Sequence, residues 1–241
     1  MGRITSQLIQ VKHRIELAEE TYQRGPESVA LIAVSKTFPA HAIEEAMHAG
    51  QTAFGENYVQ EAIQKIQVLE KLRPWLEWHF IGPIQSNKTS EIAEHFDWVQ
   101  SVDRLKVAQR LSLQRAGNGR LGPLQVLVQV NISGEASKGG VVPDEALALC
   151  DAIAPLPNLT LRGLMAIPEP VSPFELQRSA CASLRTCYEA ILKVRSNHPG
   201  YYSFDTLSIG MSDDLEAAIA EGSTMVRVGS AIFGQRAKIA E

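Results

Sequence analysis

The sequence is poor in the residues that mark metal centres, disulfide scaffolds and nucleic-acid binding. Its three cysteines form no C-x-x-C pair and its six histidines form no H-x-x-x-H pair, so we expect no metal site and reduced thiols, as in a cytoplasmic protein. A formal net charge of -4 argues against a nucleic-acid partner, because such proteins carry a basic patch or stripe. No apolar run approaches the roughly 20 residues that cross a bilayer. We therefore expect no membrane partner, and no signal peptide is expected because the start MGRITSQLIQVKHRIEL lacks its apolar central region.

Short apolar runs and helical patterns alternate along the chain instead. Eight β-branched or apolar runs predict strands, and the helical stretches between them include two that close on Gly50 and Gly222, where a terminal glycine is expected. Strict alternation indicates parallel strands, because parallel neighbours need a crossover connection. The predicted strands span residues 30–35, 52–57, 77–82, 97–102, 125–132, 161–167, 206–210 and 225–229.

Eight such units in 241 residues fit a single α/β domain, 1–241, folded as a (β/α)8 TIM barrel. The alternative is a doubly wound open sheet, which usually has fewer strands and a glycine-rich first turn. The first turn here is K-T-F-P, so a dinucleotide site is not expected. An extra amino-terminal helix is predicted before the barrel, with an apolar face formed by Ile4, Leu8, Val11 and Ile15.

Lys36 stands at the end of the first predicted strand, where the segment LIAVSKTFP turns from apolar to polar. On this segment alone a solvent-exposed lysine is the simplest interpretation, because lysine is rarely buried unless paired. Barrel active sites, however, lie at the carboxyl ends of the strands. Polar or backbone-exposing residues also end the other strands, so Lys36 is expected to share one face with Asn57, Gly82, Ser101, Asn131, Ser208 and Gly229.

The turns after the seventh and eighth strands are candidates for a phosphate site, because barrels often bind phosphate there. A helix is predicted after the seventh strand, with a capping box of Asp213 and Glu216 at an amino terminus that would attract an anion. Ordinary capped turns are the alternative for either turn alone. The residues that offer hydroxyls or close backbone approach are Ser208, Ser212, Gly229 and Ser230.

Arg227 lies inside the eighth predicted strand and points away from the side of Val226 and Val228, because side chains alternate along a strand. A buried arginine needs an acceptor. An ion pair with an acid inside the barrel and a contact to a ligand at the mouth are both open. A lysine, an arginine and a phosphate cradle on one face suggest pyridoxal 5'-phosphate (PLP), with a Schiff base at Lys36 and Arg227 at the pyridine nitrogen.

Several longer motifs extend this interpretation over nearly the whole chain. AVSKTFP, FGENYVQE, WHFIGPIQSNK, LRGLMAIP, LSIGMSDDLEAAI and GSTMVRVGSAIFGQR resemble the pyridoxal phosphate homeostasis protein family. The resemblance implies one barrel like the N-terminal domain of alanine racemase, with PLP bound to Lys36 and Arg227 facing the pyridine nitrogen. It further implies a phosphate site formed by Ser208, Ser212, Gly229 and Ser230, with Asn57 at the same mouth.

The resemblance implies a cytoplasmic carrier or regulator of PLP with no catalytic residues. An arginine does not readily protonate the pyridine nitrogen, and we expect no second domain after Glu241 to supply a racemase's other acid–base group. A low-activity PLP-dependent amino-acid racemase or lyase is the alternative. A third interpretation is a protein that signals PLP occupancy through the Gly- and Ser-rich loop 131–140. Besides PLP, we expect apo PLP-dependent enzymes as partners, and a monomer.

Overall fold

The computed structural model describes residues 2–116, 121–135 and 139–235, and in them eight parallel strands close into a barrel in chain order. Closure is made by β8 pairing with β1. The predicted barrel is confirmed, and every predicted strand is present. The strands are β1 Ala30–Val34, β2 Ala53–Glu56, β3 Glu77–Phe80, β4 Trp98–Val102, β5 Leu124–Gln129, β6 Leu159–Met165, β7 Thr206–Ser208 and β8 Met225–Val228.

Helices follow the strands on the outside of the barrel, and one precedes them. Gly50 and Gly222 have φ angles of +82° and +90° just after helix ends, as the sequence predicted. Short 3-10 turns occupy Glu70–Trp75, Ser86–Lys88 and Pro199–Tyr201. The α-helices in the described residues are α1 Arg3–Thr21, α2 Ala40–His48, α3 Val59–Val68, α4 Thr89–His95, α5 Leu105–Arg115, α6 Pro143–Ile153, α7 Phe174–Arg195, α8 Leu215–Ala220 and α9 Ser230–Phe233.

All strands except β4 end one to three residues earlier than predicted, and the ends of β5 and β7 have clear structural causes. β7 stops at Ser208 because the chain turns at Gly210, whose φ is +109° and where an added Cβ would lie 2.7 Å from the Cβ of Ala218. β5 stops at Gln129, and only an isolated bridge to Val141 continues it. The loops that carry the polar strand ends are therefore longer than the sequence suggested.

Alternation along the strands divides the apolar residues into two cores. Outward-facing residues pack against the helices in one large cluster, whereas a smaller cluster fills the barrel interior. The interior cluster consists of Ile32, Trp98, Leu127, Met165 and Met225. Because these apolar residues and buried polar residues together fill the interior, a cavity can open only at an end of the barrel.

The amino-terminal helix α1 docks on the barrel through the face that the sequence predicted. Its predicted contact residues are all buried, and the helix packs against α8 and α9. Arg14 adds an ion pair, with Nε 2.7 Å from Oε1 and Nη2 2.9 Å from Oε2 of Glu216. Arg14 Nη2 also donates to the carbonyl of Ser212 at 3.1 Å. The helix thereby holds the loop that follows β7.

The predicted capping box at Asp213 and Glu216 is wrong. α8 begins at Leu215 with Asp214 as its N-cap residue, and no side chain caps its first turn. The Glu216 carboxylate turns instead toward Arg14, because a bidentate pair with an arginine is stronger than a bond to one backbone N–H. Asp214 accepts a hydrogen bond from the Met211 N–H at 2.5 Å.

None of the described helices combines the length and the apolar character needed to cross a bilayer. The described residues also contain no cluster of His, Cys, Asp or Glu side chains arranged for a metal ion. Cys150 and Cys181 are buried and Cys187 is half-buried, and none forms a disulfide.

The docking of α1 predicts how two substitutions change the free energy of unfolding. Leu8→Ala removes a fully buried side chain and should lower the free energy of unfolding by about 2–5 kcal/mol, as measured by chemical denaturation. Ile9→Ala, at a neighbouring position with 47% exposure, should change it by less than about 0.5 kcal/mol. Equal losses in the two variants would show that α1 does not dock through this face.

Candidate functional site

A cavity of about 570 Å³ opens at the carboxyl ends of the strands. Its volume is within the range of roughly 300–1,000 Å³ that small-molecule sites have. Six of the seven residues predicted from the sequence line it, namely Lys36, Asn57, Ser212, Arg227, Gly229 and Ser230. Apolar walls are formed by Val34, Phe38, Ile81, Ile167 and Met211. The cavity thus joins polar groups from β1, β2 and the loops after β7 and β8.

Lys36 reaches the cavity from a tight turn after β1. The turn is closed by a hydrogen bond from the Phe38 N–H to the Ser35 carbonyl at 3.0 Å. Val34 and Lys36 face the cavity while Ser35 points the other way and is fully buried, as the period of two requires. Lys36 is half-buried, which contradicts the interpretation of a lysine fully in solvent.

The same turn contains backbone strain. Thr37 has a φ of +68°, in the left-handed region that β-branched residues rarely adopt. Such a conformation costs on the order of 1–3 kcal/mol and persists only where the surroundings enforce it. The residue next to Lys36 is therefore held in place by contacts outside the turn.

Asn57 presents an acceptor to the cavity. Its Oδ1 is buried and has no hydrogen-bond partner among the described residues. A buried acceptor left unpaired costs about 1–3 kcal/mol, so this atom favours a ligand that carries a donor. Gly82 makes the position possible, because a Cβ there would lie 2.1 Å from the Asn57 carbonyl oxygen.

Ser212 and Ser230 bring together the loops after β7 and β8. The Ser230 hydroxyl donates to the Ser212 hydroxyl at 3.0 Å, and the Ala231 N–H approaches the same oxygen at 3.4 Å. Gly229 lets β8 end close to β1, since a Cβ there would lie 3.3 Å from the Val34 carbonyl. The exposed Asp213 also lines this part of the cavity. Two hydroxyls and one exposed carboxylate therefore line this part of the cavity.

Arg227 forms the floor of the cavity. Its Nη1 donates to the Ser208 hydroxyl at 2.7 Å and its Nη2 to the Ala166 carbonyl at 2.8 Å. Burial lowers the pKa of Arg227 to about 10, so the guanidinium stays charged at neutral pH. Among the described residues no carboxylate forms an ion pair with it, and the alternative of an interior acid partner is thus not found there.

Ser208 lies beneath Arg227 and outside the residues that line the cavity. Its hydroxyl accepts from Arg227 and donates to Gln100 Oε1 at 2.7 Å. This position differs from the predicted contact with a phosphate. We infer that Ser208 orients the arginine.

The hydrogen bonds continue from Ser208 down the barrel interior. Gln100 Nε2 lies 3.0 Å from His79 Nδ1, and His79 Nε2 lies 2.8 Å from Glu77 Oε1. Gln100 and His79 are fully buried, and the His79 ring stacks on Trp98 at 5.2 Å. Burial is the largest single influence on Glu77 and raises its pKa, but the contacts with His79, Trp98 and Arg162 together outweigh burial and leave that pKa below its ordinary value.

The direction of each hydrogen bond in this chain follows from the arginine. Arg227 can only donate, so the Ser208 hydroxyl must give its proton to Gln100. The oxygen of Gln100 therefore faces Ser208, and its amide nitrogen donates to His79 Nδ1. His79 then accepts at Nδ1 and donates from Nε2 to Glu77. We call these five residues, Arg227, Ser208, Gln100, His79 and Glu77, the interior chain.

Sequence reasoning missed the middle of the interior chain. Gln100 and His79 are polar residues at inward positions of β4 and β3, and the period of two in WVQSV and EWHFIG was the signal that could have identified them. The loop 131–140, which was considered as a signal of PLP occupancy, includes residues 136–138, and these lie outside the described residues.

Comparison with known proteins shows similarity over almost the whole chain. The profile of the family described as alanine racemase, N-terminal domain, matches residues 7–237. The pyridoxal phosphate homeostasis protein of Pseudomonas aeruginosa is 55% identical over 236 residues, which are 98% of this chain and 97% of that protein. The protein of the same name from Escherichia coli K12 is 52% identical over 237 residues, 98% of each chain.

A solved structure shows the same architecture. PipY of Synechococcus elongatus, determined with PLP bound, is 36% identical and superposes with a TM-score of 0.81. The match covers 96% of this chain and 100% of PipY.

The interior chain predicts the tautomer of one histidine. Nitrogen NMR of the labelled protein near neutral pH should show His79 with its proton fixed on Nε2. The exposed His13, whose side chain is 65% accessible, should show averaged tautomers and serves as the control. A proton on Nδ1 of His79 would require a reversed Gln100 amide and would contradict the assigned directions.

Proposed function

The chain belongs to the pyridoxal phosphate homeostasis protein family, and from that premise we propose that it binds PLP through Lys36 and carries it without a committed reaction. One observation supports this function above the others. A single cavity joins a half-buried lysine, a buried arginine and two loop hydroxyls. These are the groups that would bind an aldehyde, a ring nitrogen and a phosphate.

The residues of the cavity fit PLP at each of its polar groups. When bound, PLP supplies an aldehyde and an electron-withdrawing pyridine ring. The Lys36 amine would capture the aldehyde carbon, forming a C=N bond and releasing the aldehyde oxygen as water. The unpaired Oδ1 of Asn57 suits the hydroxyl donor on the PLP ring. This assignment gives the orphaned acceptor a partner.

Arg227 suits the ring nitrogen as a charged donor. Of its five N–H groups, two donate to Ser208 and Ala166, and the guanidinium lines the cavity. A guanidinium beside the nitrogen donates a hydrogen bond but keeps its own proton at neutral pH. The ring would then remain a weak electron sink, which favours storage of PLP over carbanion chemistry.

Ser212 and Ser230 would hold the phosphate, with Gly229 allowing close approach. Both residues lie in the loops after β7 and β8, where barrels commonly bind phosphate. Ser208 is left out of this set because its hydroxyl is engaged by Arg227 and Gln100. The predicted phosphate contacts thus reduce to Ser212, Gly229 and Ser230.

The cavity favours a carrier over the alternative of a racemase or lyase. A racemase needs acid–base groups on both faces of its substrate. The ionisable residues that line the cavity, among those the structure describes, are Lys36, Asp213 and Arg227. The lysine would be used in binding and the arginine is too basic, which leaves one exposed carboxylate. We further propose that the protein is a single-domain monomer. It would deliver PLP to apo enzymes in the cytoplasm.

Capture of PLP at Lys36 gives the direct test of this function. Protein incubated with PLP should turn yellow, and borohydride reduction followed by peptide mapping should find the label on Lys36. Lys36→Ala should lose both signals, whereas Lys88→Ala, which removes a lysine paired with Glu91 on the surface, should keep them. A parent protein that stays colourless, or a label on another lysine, would contradict the proposal.

Ser230→Asp tests the phosphate position. A carboxylate there would repel the phosphate, so the affinity for PLP should fall by at least about tenfold, or 1.4 kcal/mol, in equilibrium titrations. The affinity for pyridoxal, which has no phosphate, should change by less than about threefold. Equal losses for the two ligands would place the phosphate elsewhere in the cavity.

A further inference from the structure

Behind the Lys36 turn lies a cluster of three charged residues, the buried Glu56 and Lys65 and the half-buried Glu61, which we call the turn clamp. Lys65 projects from α3 and is only 5% exposed. Its Nζ donates to Glu56 Oε1 at 2.7 Å, to Glu61 Oε1 at 2.5 Å and to the Ser35 carbonyl at 2.8 Å. All three N–H groups of the ammonium are therefore used within the protein.

The turn clamp binds the residues on both sides of Lys36. The Ser35 hydroxyl donates to Glu56 Oε1 at 2.7 Å, and the Thr37 N–H donates to Glu61 Oε1 at 2.5 Å. The Ser35 carbonyl that accepts from Lys65 also closes the turn by accepting from the Phe38 N–H. The backbone before and after Lys36 is thus fixed from the helix side, while the Lys36 side chain lies on the cavity side.

Stability alone gives little reason for this cluster. Buried ion pairs can often be replaced by apolar residues without loss of stability, because desolvation offsets their attraction. Here burial, outweighing the attraction of Lys65, raises the pKa of Glu56 above its usual value, and Glu56 Oε2 is buried without a hydrogen-bond partner among the described residues. The cluster lies directly against a turn whose Thr37 adopts a strained φ, and such strain persists only under outside constraint.

We propose that Lys65, acting with Glu56 and Glu61, is a positioning residue that holds the Ser35–Thr37 turn so that Lys36 points into the cavity. The role of Lys36 itself rests on the proposed function. The clamp contributes no atom to the cavity lining. The clamp limits the turn to one conformation, so Lys36 loses less conformational entropy when it binds an aldehyde.

Lys65→Met in the full chain tests the proposal with two measurements. The first is the hydrogen exchange rate of the Thr37 N–H without ligand, which should rise at least about tenfold as the turn opens. The second is the rate of PLP capture at Lys36, trapped by cyanoborohydride and followed by peptide mapping, which should fall about tenfold.

Arg115→Met is the matched control. Arg115 is also a buried cation, 4% exposed, that donates to backbone carbonyls, here those of Ala93, Phe96 and Gly122. Phe96 and Gly122 precede β4 and β5, so this site lies at the end of the barrel away from the cavity. Arg115→Met should lower the thermal midpoint while changing both rates by less than about twofold.

The outcomes separate the clamp from the proposed function. Unchanged Thr37 exchange in Lys65→Met, or equal effects in Arg115→Met, would overturn the clamp. A parent protein that captures no PLP at Lys36 would overturn the proposed function, and the exchange rate of the Thr37 N–H would still test the clamp.

If Lys65→Met does not fold, Glu61→Ala provides the test instead, because it removes the acceptor of the Thr37 N–H at a side chain that is 29% exposed. It should speed Thr37 exchange at least about threefold, and an unchanged rate would refute the clamp.

Discussion

Closure of the barrel between β8 and β1 is the contact on which the site depends. Their pairing sets Ile32 beside Arg227 and Ala33 beside Val228, and it brings Gly229 against the Val34 carbonyl. The turn that carries Lys36 therefore begins next to the loop that carries Ser230, although the two residues are 194 positions apart in the sequence. An open sheet of the same strands would leave these groups at opposite edges.

The charge in the barrel interior is tolerated because the interior chain distributes it. Arg227 is buried without a carboxylate ion pair among the described residues, yet its guanidinium donates to two oxygen acceptors within 2.8 Å. Successive donors from Ser208, Gln100 and His79 then lead to Glu77, whose side chain is 48% exposed. Cooperative polarisation along such a chain favours one arrangement of protons and fixes the guanidinium at the cavity floor.

The sequence predicted which residues lie at the carboxyl ends of the strands better than it predicted the contacts among those residues. Lys36, Asn57 and Arg227 could be assigned to one face because the position of a residue on a parallel strand determines which face it reaches. Depth was harder. Ser208 looked like a mouth residue, but β7 ends there and Arg227 reaches its hydroxyl from the neighbouring strand. The sequence shows the direction of a side chain but not what lies within its reach.

Charged pairs were missed or misassigned for a related reason. Glu216 was expected to cap its own helix, and the structure pairs it with Arg14, 202 residues away. Lys65 was not singled out from the sequence, and the structure buries it against Glu56 of β2. Long charged side chains choose partners by tertiary proximity, so local spacing predicts helices well and ion pairs poorly.

Alternation gives each strand end near the site two different tasks. At the end of β1, Val34 and Lys36 line the cavity while Ser35, between them, faces α3 and its Lys65. At the end of β2, Asn57 presents its amide to the cavity while Glu56, one residue earlier, accepts from Ser35. One set of residues can therefore meet a ligand while the next set fixes the backbone that carries it. Because the two sets lie on opposite sides of the sheet, the outward contacts can be satisfied without taking donors or acceptors from the cavity.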